Sequence, residues 1–336
     1  MPENRQLRLA QRPTGLVDAN TFVLSHASAP TPAEGEAVVR TLYLSLDPTN
    51  RIWITDIEQY MPPVQVGEVM RGFGIGQVVA SRHPDLAVGD LVNGMLGWQD
   101  FAIAGPLNTM QKLPAGLPIA LPTLLNVCGI TGITAYFGLI ECGLPKAGET
   151  LLVSAASGAV GSVVGQIGKI LGLRVVGITG GPEKCRHIIE DLGFDAAVDY
   201  KAADWRDQLA VATPNGIDVD FENVGGDIMD AVLHRMNLHG RVALCGLISR
   251  YNEGGTASGD FTQLLMKRIT VRGFIILDYV PRFTEAAMQL IQWMLEGKLK
   301  HDETIIDGLE NAPTALNRLF DGNKLGKLMI KVADPA

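Results

Sequence analysis

A short apolar run, Leu151-Leu152-Val153-Ser154, meets the small residues Ala155-Ala156-Ser157-Gly158, and a helix-period pattern begins at Val160. Val160, Val163, Val164, Ile167, Ile170 and Leu171 recur at three- and four-residue steps and share one helical face. Gly161, Gly165, Gly168 and Gly172 form a second stripe that has no side chains. Each glycine inside a helix costs about 1 kcal/mol against alanine. A helix with this many needs a compensating gain, and close backbone approach supplies one. Strand, tight turn and glycine-faced helix together make the unit that seats a pyrophosphate on exposed helix N–H groups. Ala155-x-x-Gly158-x-x-Gly161 therefore reads as a dinucleotide-binding turn with alanine in the first glycine place, its cradle completed by Ser157, Ala159 and Val160.

An alternation of strands and helices continues from this unit. Strands are expected at Arg174 to Thr179, Ala196 to Asp199, Ile217 to Phe221, Arg241 to Cys245 and Ile269 to Ile276. Helices are expected at Glu183 to Leu192, Asp204 to Val211 and Asp227 to Met236. Upstream, Thr131 to Ile140 reads as a buried helix. This pattern implies a six-stranded parallel sheet in doubly wound order, over residues 124–299. Residues 1 to about 122 are rich in glycine and proline and carry short strands at Glu36 to Leu46, Gly74 to Ala80, Asp90 to Val92 and Trp98 to Ile103, a compact β domain or small barrel. The last strand, Lys327 to Val332, cannot easily join a completed six-stranded sheet. It is expected to return to the first domain, which would then comprise residues 1–123 and 300–336.

The formal net charge of -8, with no Lys/Arg run, argues against a nucleic-acid partner. No stretch of eighteen unbroken apolar residues and no signal-peptide core appear, so no membrane partner is expected and the expected compartment is the cytoplasm. Cys128, Cys142, Cys185 and Cys245 are dispersed, which suits reduced thiols. None of the six histidines forms a ligand-spaced pair, so no metal is expected. With no G-x-S-x-G elbow, a serine hydrolase has no support. An oxidoreductase built from these residues would polarise its substrate with hydrogen bonds.

The second strand ends Gly177-Ile178-Thr179-Gly180-Gly181-Pro182, where an NAD enzyme usually carries an acid for the adenosine ribose. Lys184 and Arg186 follow, and cations beyond an uncharged strand end favour a 2′-phosphate, hence NADP(H), the other reading being that both are solvated helix residues. Tyr200, after the third strand, is a candidate for the adenosine end or a packing residue. Asn223, after the fourth strand, is a nicotinamide-ribose contact or a turn residue. Tyr251, in the loop after the fifth strand, stands where open α/β sheets bind ligands and is a candidate donor to a substrate oxygen or a packing residue. Trp53, Tyr60 and Tyr279 are aromatic candidates for an apolar substrate cleft between the domains, or packing residues.

Several segments carry a resemblance to a known family: Leu44-Ser45-Leu46-Asp47-Pro48, Gly97-Trp98-Gln99-Asp100, Thr134-Ala135-Tyr136, Ala155 to Gly168, Glu183 to His187, Glu222 to Gly226, Cys245 to Asn252 and Asp307 to Pro313. Nearly the whole chain resembles the medium-chain dehydrogenase/reductases. Within them it is similar to the zinc-independent double-bond reductases: leukotriene B4 dehydrogenase/prostaglandin reductases, plant alkenal reductases and bacterial curcumin reductases. The resemblance implies a GroES-like β-barrel domain from both chain ends beside a Rossmann domain, commonly as a homodimer. It implies that Ala155 to Gly161 hold the pyrophosphate, that Lys184 and Tyr200 surround the 2′-phosphate, and that Asn223, Cys245 and the segment Phe274-Ile275-Ile276 meet the nicotinamide end. It gives Tyr251 a bond to the nicotinamide ribose and a part in protonating the substrate. The implied activity is NADPH-dependent reduction of the activated C=C bond of an α,β-unsaturated ketone or aldehyde, with hydride going to the β-carbon. Quinone reduction and non-catalytic NADPH binding are the alternatives. Three positions depart from the family pattern. Thr49 replaces a tyrosine after Asp47-Pro48, Gly129-Ile130-Thr131-Gly132 replaces Gly-Met-Pro-Gly, and Lys324 displaces a cofactor-contacting Asn in Gly322-Asn323-Lys324-Leu325-Gly326-Lys327.

Overall fold

The computed structural model describes residues 2–114, 116, 119–253, 261–322 and 324–335. The chain divides into two units, Met1–Leu125 with Glu303–Ala336, and Asn126–Asp302. The first opens with an antiparallel pair, β1 (Glu3–Leu9) and β2 (Phe22–Ser28), in which Leu7 faces Leu24. β3 (Ala37–Ser45) leads through the short α1 (Thr49–Trp53) to β4 (Phe73–Ser81), β5 (Leu91–Met95), β6 (Phe101–Ala104), β7 (Gln111–Lys112) and α2 (Leu121–Leu125). Leu9, Leu44, Met70 and Trp98 are among the side chains buried at its core.

The second unit begins with α3 (Ile130–Phe137). The buried helix expected here widens to a π-turn over Gly138–Gly143 and ends at Leu144 in the left-handed region (φ 46°). β8 (Thr150–Ser154) follows, buried at every position, and then α4 (Ala159–Ile170). β9 (Arg174–Thr179), α5 (Pro182–Glu190), β10 (Ala196–Asp199), α6 (Trp205–Ala212), β11 (Ile217–Glu222), α7 (Gly226–Arg235) and β12 (Met236–Leu244) continue the alternation. α8 (Phe261–Lys267), β13 (Thr270–Gly273) and α9 (Phe283–Leu295) complete it. The six strands are parallel in the order β10-β9-β8-β11-β12-β13, the doubly wound arrangement, with its switch point between β8 and β11. The sixth strand stops at Gly273, short of the expected Ile276. Its last partner is Leu244 at the end of β12, so residues beyond have no neighbour to bond, and Ile276–Arg282 winds into a 3₁₀ turn.

The chain then re-enters the first unit through β14 (Glu303–Asp307), α10 (Ala312–Asp321) and β15 (Lys327–Lys331). β15 lies between β14 and β3, antiparallel to the latter with Ile330 opposite Leu44. Lys327 is buried there, its ammonium bonded to the Asp47 carboxylate. The β unit is therefore built from both chain ends. Among the described residues, no helix is long and apolar enough to cross a membrane.

The glycine face of α4 is occupied as its composition requires. A Cβ on Gly165 would fall 1.9 Å from Cζ of Phe194, and one on Gly168 would fall 2.6 Å from Cδ2 of Leu151. The helix thus lies directly on the sheet and on the α5–β10 connection.

Candidate active site

At the end of β8 the chain turns through Ala155, which is left-handed (φ 50°), the conformation that explains why glycine is the commoner residue there. The Ala156 N–H donates to the Ile178 carbonyl (3.0 Å) and the Gly158 N–H to that of Ala155 (2.9 Å). A Cβ on Gly161 would stand 2.5 Å from the Ala155 oxygen, so only glycine lets the first turn of α4 close on the loop. The helix ladder starts with the Ser162 N–H donating to Gly158 (2.9 Å). The N–H groups of Ala159, Val160 and Gly161 precede that bond and project from the positive end of the helix, a seat for phosphate oxygens. Ser157 has a different part: its Oγ is 2.6 Å from Oγ1 of Thr179, pinning the turn to the end of β9.

Beyond Thr179, Gly180 lies beneath the next strand's exit. A Cβ there would be 2.8 Å from Cε1 of Tyr200 and 3.0 Å from Cε of Lys201. Asp199 holds this crossing together, its Oδ1 accepting the N–H of Gly181 (2.7 Å) and of Lys201 (3.0 Å). Lys184 and Arg186 sit on α5. Lys201, at the strand end itself, is a cation that sequence reasoning passed over. Its signal was a lysine directly after Tyr200.

Across the switch point, Asn223 binds β8 twice. Its N–H donates to Ser154 Oγ (2.7 Å) and its Nδ2 to the Ser154 carbonyl (2.8 Å). Ser154 Oγ in turn donates to Glu222 Oε1 (2.8 Å), which also accepts the N–H groups of Val224 (2.5 Å) and Gly225 (2.8 Å). Glu222 is fully buried, and burial pushes its carboxyl up, against those donors. It shapes the Asn223 turn, a role sequence reasoning missed.

Asp220 lies two residues earlier on the same strand face, also fully buried. Neither of its oxygens has a hydrogen-bond partner among the described residues. Burial, and then the charge of Glu222, raise its carboxyl well above the ordinary 3.8. A carboxyl raised in the folded state holds its proton where the unfolded chain has lost it, so stability falls as pH rises from about 4 toward the folded value. Thermal unfolding midpoints measured from pH 4 to 8 are expected to fall more steeply for the native chain than for Asp220→Asn. Equal slopes would show that Asp220 does not titrate in this way.

Tyr251 folds back over its own loop. Its Oη accepts the Leu247 N–H (3.1 Å) and lies 3.0 Å from where a Gly246 Cβ would be. The Ile248 N–H donates to the Asn223 carbonyl (3.1 Å) and the Ser249 N–H to that of Val224 (3.1 Å). Cys245 joins the same group, its N–H on the Glu222 carbonyl (2.9 Å). Burial pushes its thiol up to about 12, so it is a neutral lining residue rather than a nucleophile. Asn223, Cys245 and Tyr251 are thus brought together at the carboxyl edge of β11 and β12. Phe274 packs edge-on to Phe221 (6.3 Å, 72°), its ring tip against Gly138, and Ile276 opens the 3₁₀ turn. Tyr279 stacks on Phe137 (4.7 Å, 18°) with its hydroxyl 3.9 Å from Cys142 Sγ.

In the β unit, Trp53 and Tyr60 form a separate cluster. Trp53 Nε1 donates to the Tyr60 hydroxyl (2.9 Å), which also bonds Thr49 Oγ1. The Arg71 guanidinium covers the indole at 5.4 Å. Lys324 donates to the Gly326 carbonyl (3.1 Å), and Asn323 of the same segment lies outside the described residues. Among the described residues, no three His, Cys, Asp or Glu side chains gather where they could hold a metal ion.

A dinucleotide-type turn at a parallel-sheet switch point, together with a β unit closed by both chain ends, defines a nucleotide-binding oxidoreductase architecture. Residues 5–113 match the family described as an N-terminal domain of oxidoreductase, and residues 159–293 the family described as zinc-binding dehydrogenase. The chain belongs to the zinc-independent double-bond reductase group of the medium-chain dehydrogenase/reductase family. It is 47% identical to the NADPH-dependent curcumin reductase of Escherichia coli (strain K12), over 98% of this chain and 97% of that protein. It is 41% identical to the NADP(+)-dependent 2-alkenal reductase of Nicotiana tabacum, over 89% and 88% of the two. The crystal structure of CurA in complex with NADPH from Vibrio vulnificus superposes with a TM-score of 0.94 at 46% identity, covering 98% of this chain and all of that one.

Proposed function

We propose that this protein is an NADPH-dependent reductase of the activated C=C bond in α,β-unsaturated ketones and aldehydes. The observation that carries the reading is the cradle at Ala155–Gly161. There a side chain on Gly161 would collide with the Ala155 carbonyl, and the open N–H groups of α4 face the switch point. NADPH bound there supplies the hydride. The chain's own part is to hold the dinucleotide along β8 and β9, with Lys184 and Tyr200 at the adenosine end and Asn223, Cys245, Phe274 and Ile276 at the nicotinamide end. As the β-carbon of the substrate is reduced, negative charge grows on its carbonyl oxygen, and a donor placed there lowers the barrier. Tyr251 is that donor, with its hydroxyl oriented by the Leu247 N–H. The E. coli and tobacco relatives, named for reduction of curcumin and 2-alkenals, support this substrate class.

Trp53 and Tyr60 in the β unit, and Tyr279 in the parallel-sheet unit, are each proposed as aromatic contacts for the substrate, with Tyr60 offering a phenol where Thr49 has replaced one. A cytoplasmic homodimer is proposed too. All four residues of the edge strand β13 are exposed, and α8 exposes Phe261, Leu265 and Met266 in the same unit, a surface suited to a second copy. Loss of nicotinamide absorbance with NADPH and a small enone, a long-chain enal, curcumin or a quinone tests the function. Turnover of the enone or enal, without added metal, is expected. Turnover of the quinone alone would make this a quinone reductase, and tight NADPH binding with no turnover would make it a non-catalytic binding protein.

A further inference from the structure

We infer that Lys201 is a ligand of the cofactor's 2′-phosphate and sets the preference for NADPH over NADH, an inference that rests on the NADP(H) reading above. In a doubly wound sheet the adenosine ribose lies over the end of the second strand, and an acidic side chain there binds its hydroxyls in NAD enzymes. Here that strand is β9, and its end is Thr179 followed by Gly180. Thr179 Oγ1 is bonded to Ser157, and Gly180 has no side chain. The space where a side chain of residue 180 would begin is filled from the neighbouring strand's exit, by the Tyr200 ring edge at 2.8 Å and Lys201 Cε at 3.0 Å. The ammonium of Lys201 is one bond further on. A positive charge thus stands where an NAD enzyme places a negative one.

Asp199 explains why the lysine is there. It is the only acid of β10, and its Oδ1 is spent on the N–H groups of Gly181 and Lys201. That pair of bonds ties the Lys201 backbone to the β9 exit and engages this oxygen of the acid with backbone donors. The lysine side chain is exposed, and among the described residues its ammonium makes no ion pair that would have to break. A dianionic 2′-phosphate is a partner for such a group, and the ribose hydroxyls of NADH are not.

The test uses the full chain and measures dissociation constants for NADPH, NADH, 2′,5′-ADP and 5′-AMP. Lys201→Gln is expected to weaken NADPH and 2′,5′-ADP about tenfold or more, leave NADH and 5′-AMP unchanged, and be restored in large part by Lys201→Arg. Unchanged NADH binding shows in the same experiment that the variant is folded. NADPH binding unaffected in Lys201→Gln, or all four ligands weakened equally, would overturn the inference. A native chain that binds neither dinucleotide would instead remove the NADP(H) reading itself, a result distinguishable because it precedes any substitution.

Discussion

Tyr251→Phe is expected to lower turnover of an enone about 100-fold while the dissociation constant for NADPH stays within about twofold. The asymmetry follows from what the phenol does in its loop. One lone pair of its oxygen takes the Leu247 N–H, so the hydroxyl is held in orientation and its proton can be offered to a substrate oxygen as charge develops. The pyrophosphate seat on α4 does not involve it. Phenylalanine keeps the ring over Gly246 and removes the donor, so the loss should appear in the hydride-transfer rate of a single turnover. Loss that tracks weaker NADPH binding would instead assign Tyr251 to the cofactor, and unchanged turnover would remove it from the chemistry.

Gly165→Ala is expected to destabilise the protein by about 2–3 kcal/mol, even though alanine is the better helix former by about 1 kcal/mol. The added methyl would fall inside the Phe194 ring, 1.9 Å from Cζ and 2.3 Å from Cε2. That ring cannot step aside: it is 3% exposed, and its Cδ1 already lies 3.0 Å from where a Cβ of Gly177 would be. Phe194→Leu costs packing by itself but removes the clashing atoms. The double variant should therefore be more stable than the sum of the two single losses, a coupling of at least about 1 kcal/mol in denaturant unfolding. Additive losses would mean that the helix shifts to make room.

The same packing explains what could be read in advance. A glycine stripe on α4 is visible because the sheet and Phe194 demand it at fixed spacing. β8 and β9 are visible because each is a short apolar run between turn residues, and β9 and β10 lie where the pattern puts them. β13 was over-extended because Phe274-Ile275-Ile276 has the composition of a strand, and only the length of its neighbour ends it. β1, β2 and β14 were missed: their apolar residues alternate with Arg, Gln, Ser and Asp, so the runs look polar until pairing is known. In the turn after β8, the strand–turn–helix geometry around Ala155, Gly158 and Gly161 was legible from spacing. Lys201 and Glu222 were not, since one acts through a neighbouring strand's exit and the other through backbone N–H groups that only the folded turn presents. Asp220 obeys the period-two alternation of Ile217, Val219 and Phe221, which reads as a solvated polar face, and nothing in the sequence signals that this face is buried as well.

Because β15 is an inner strand of the β unit, paired with β3 across nearly the entire chain, that unit cannot close while the protein is still being made. At synthesis rates of about 5–20 residues per second, β3 waits roughly 15–60 s for its neighbour to leave the ribosome. In that interval the parallel sheet has all its strands available and can settle first. A nascent chain halted just before Lys327 should therefore display a protease-resistant nucleotide-binding half and a digestible amino-terminal one, and chaperone demand should fall on the latter.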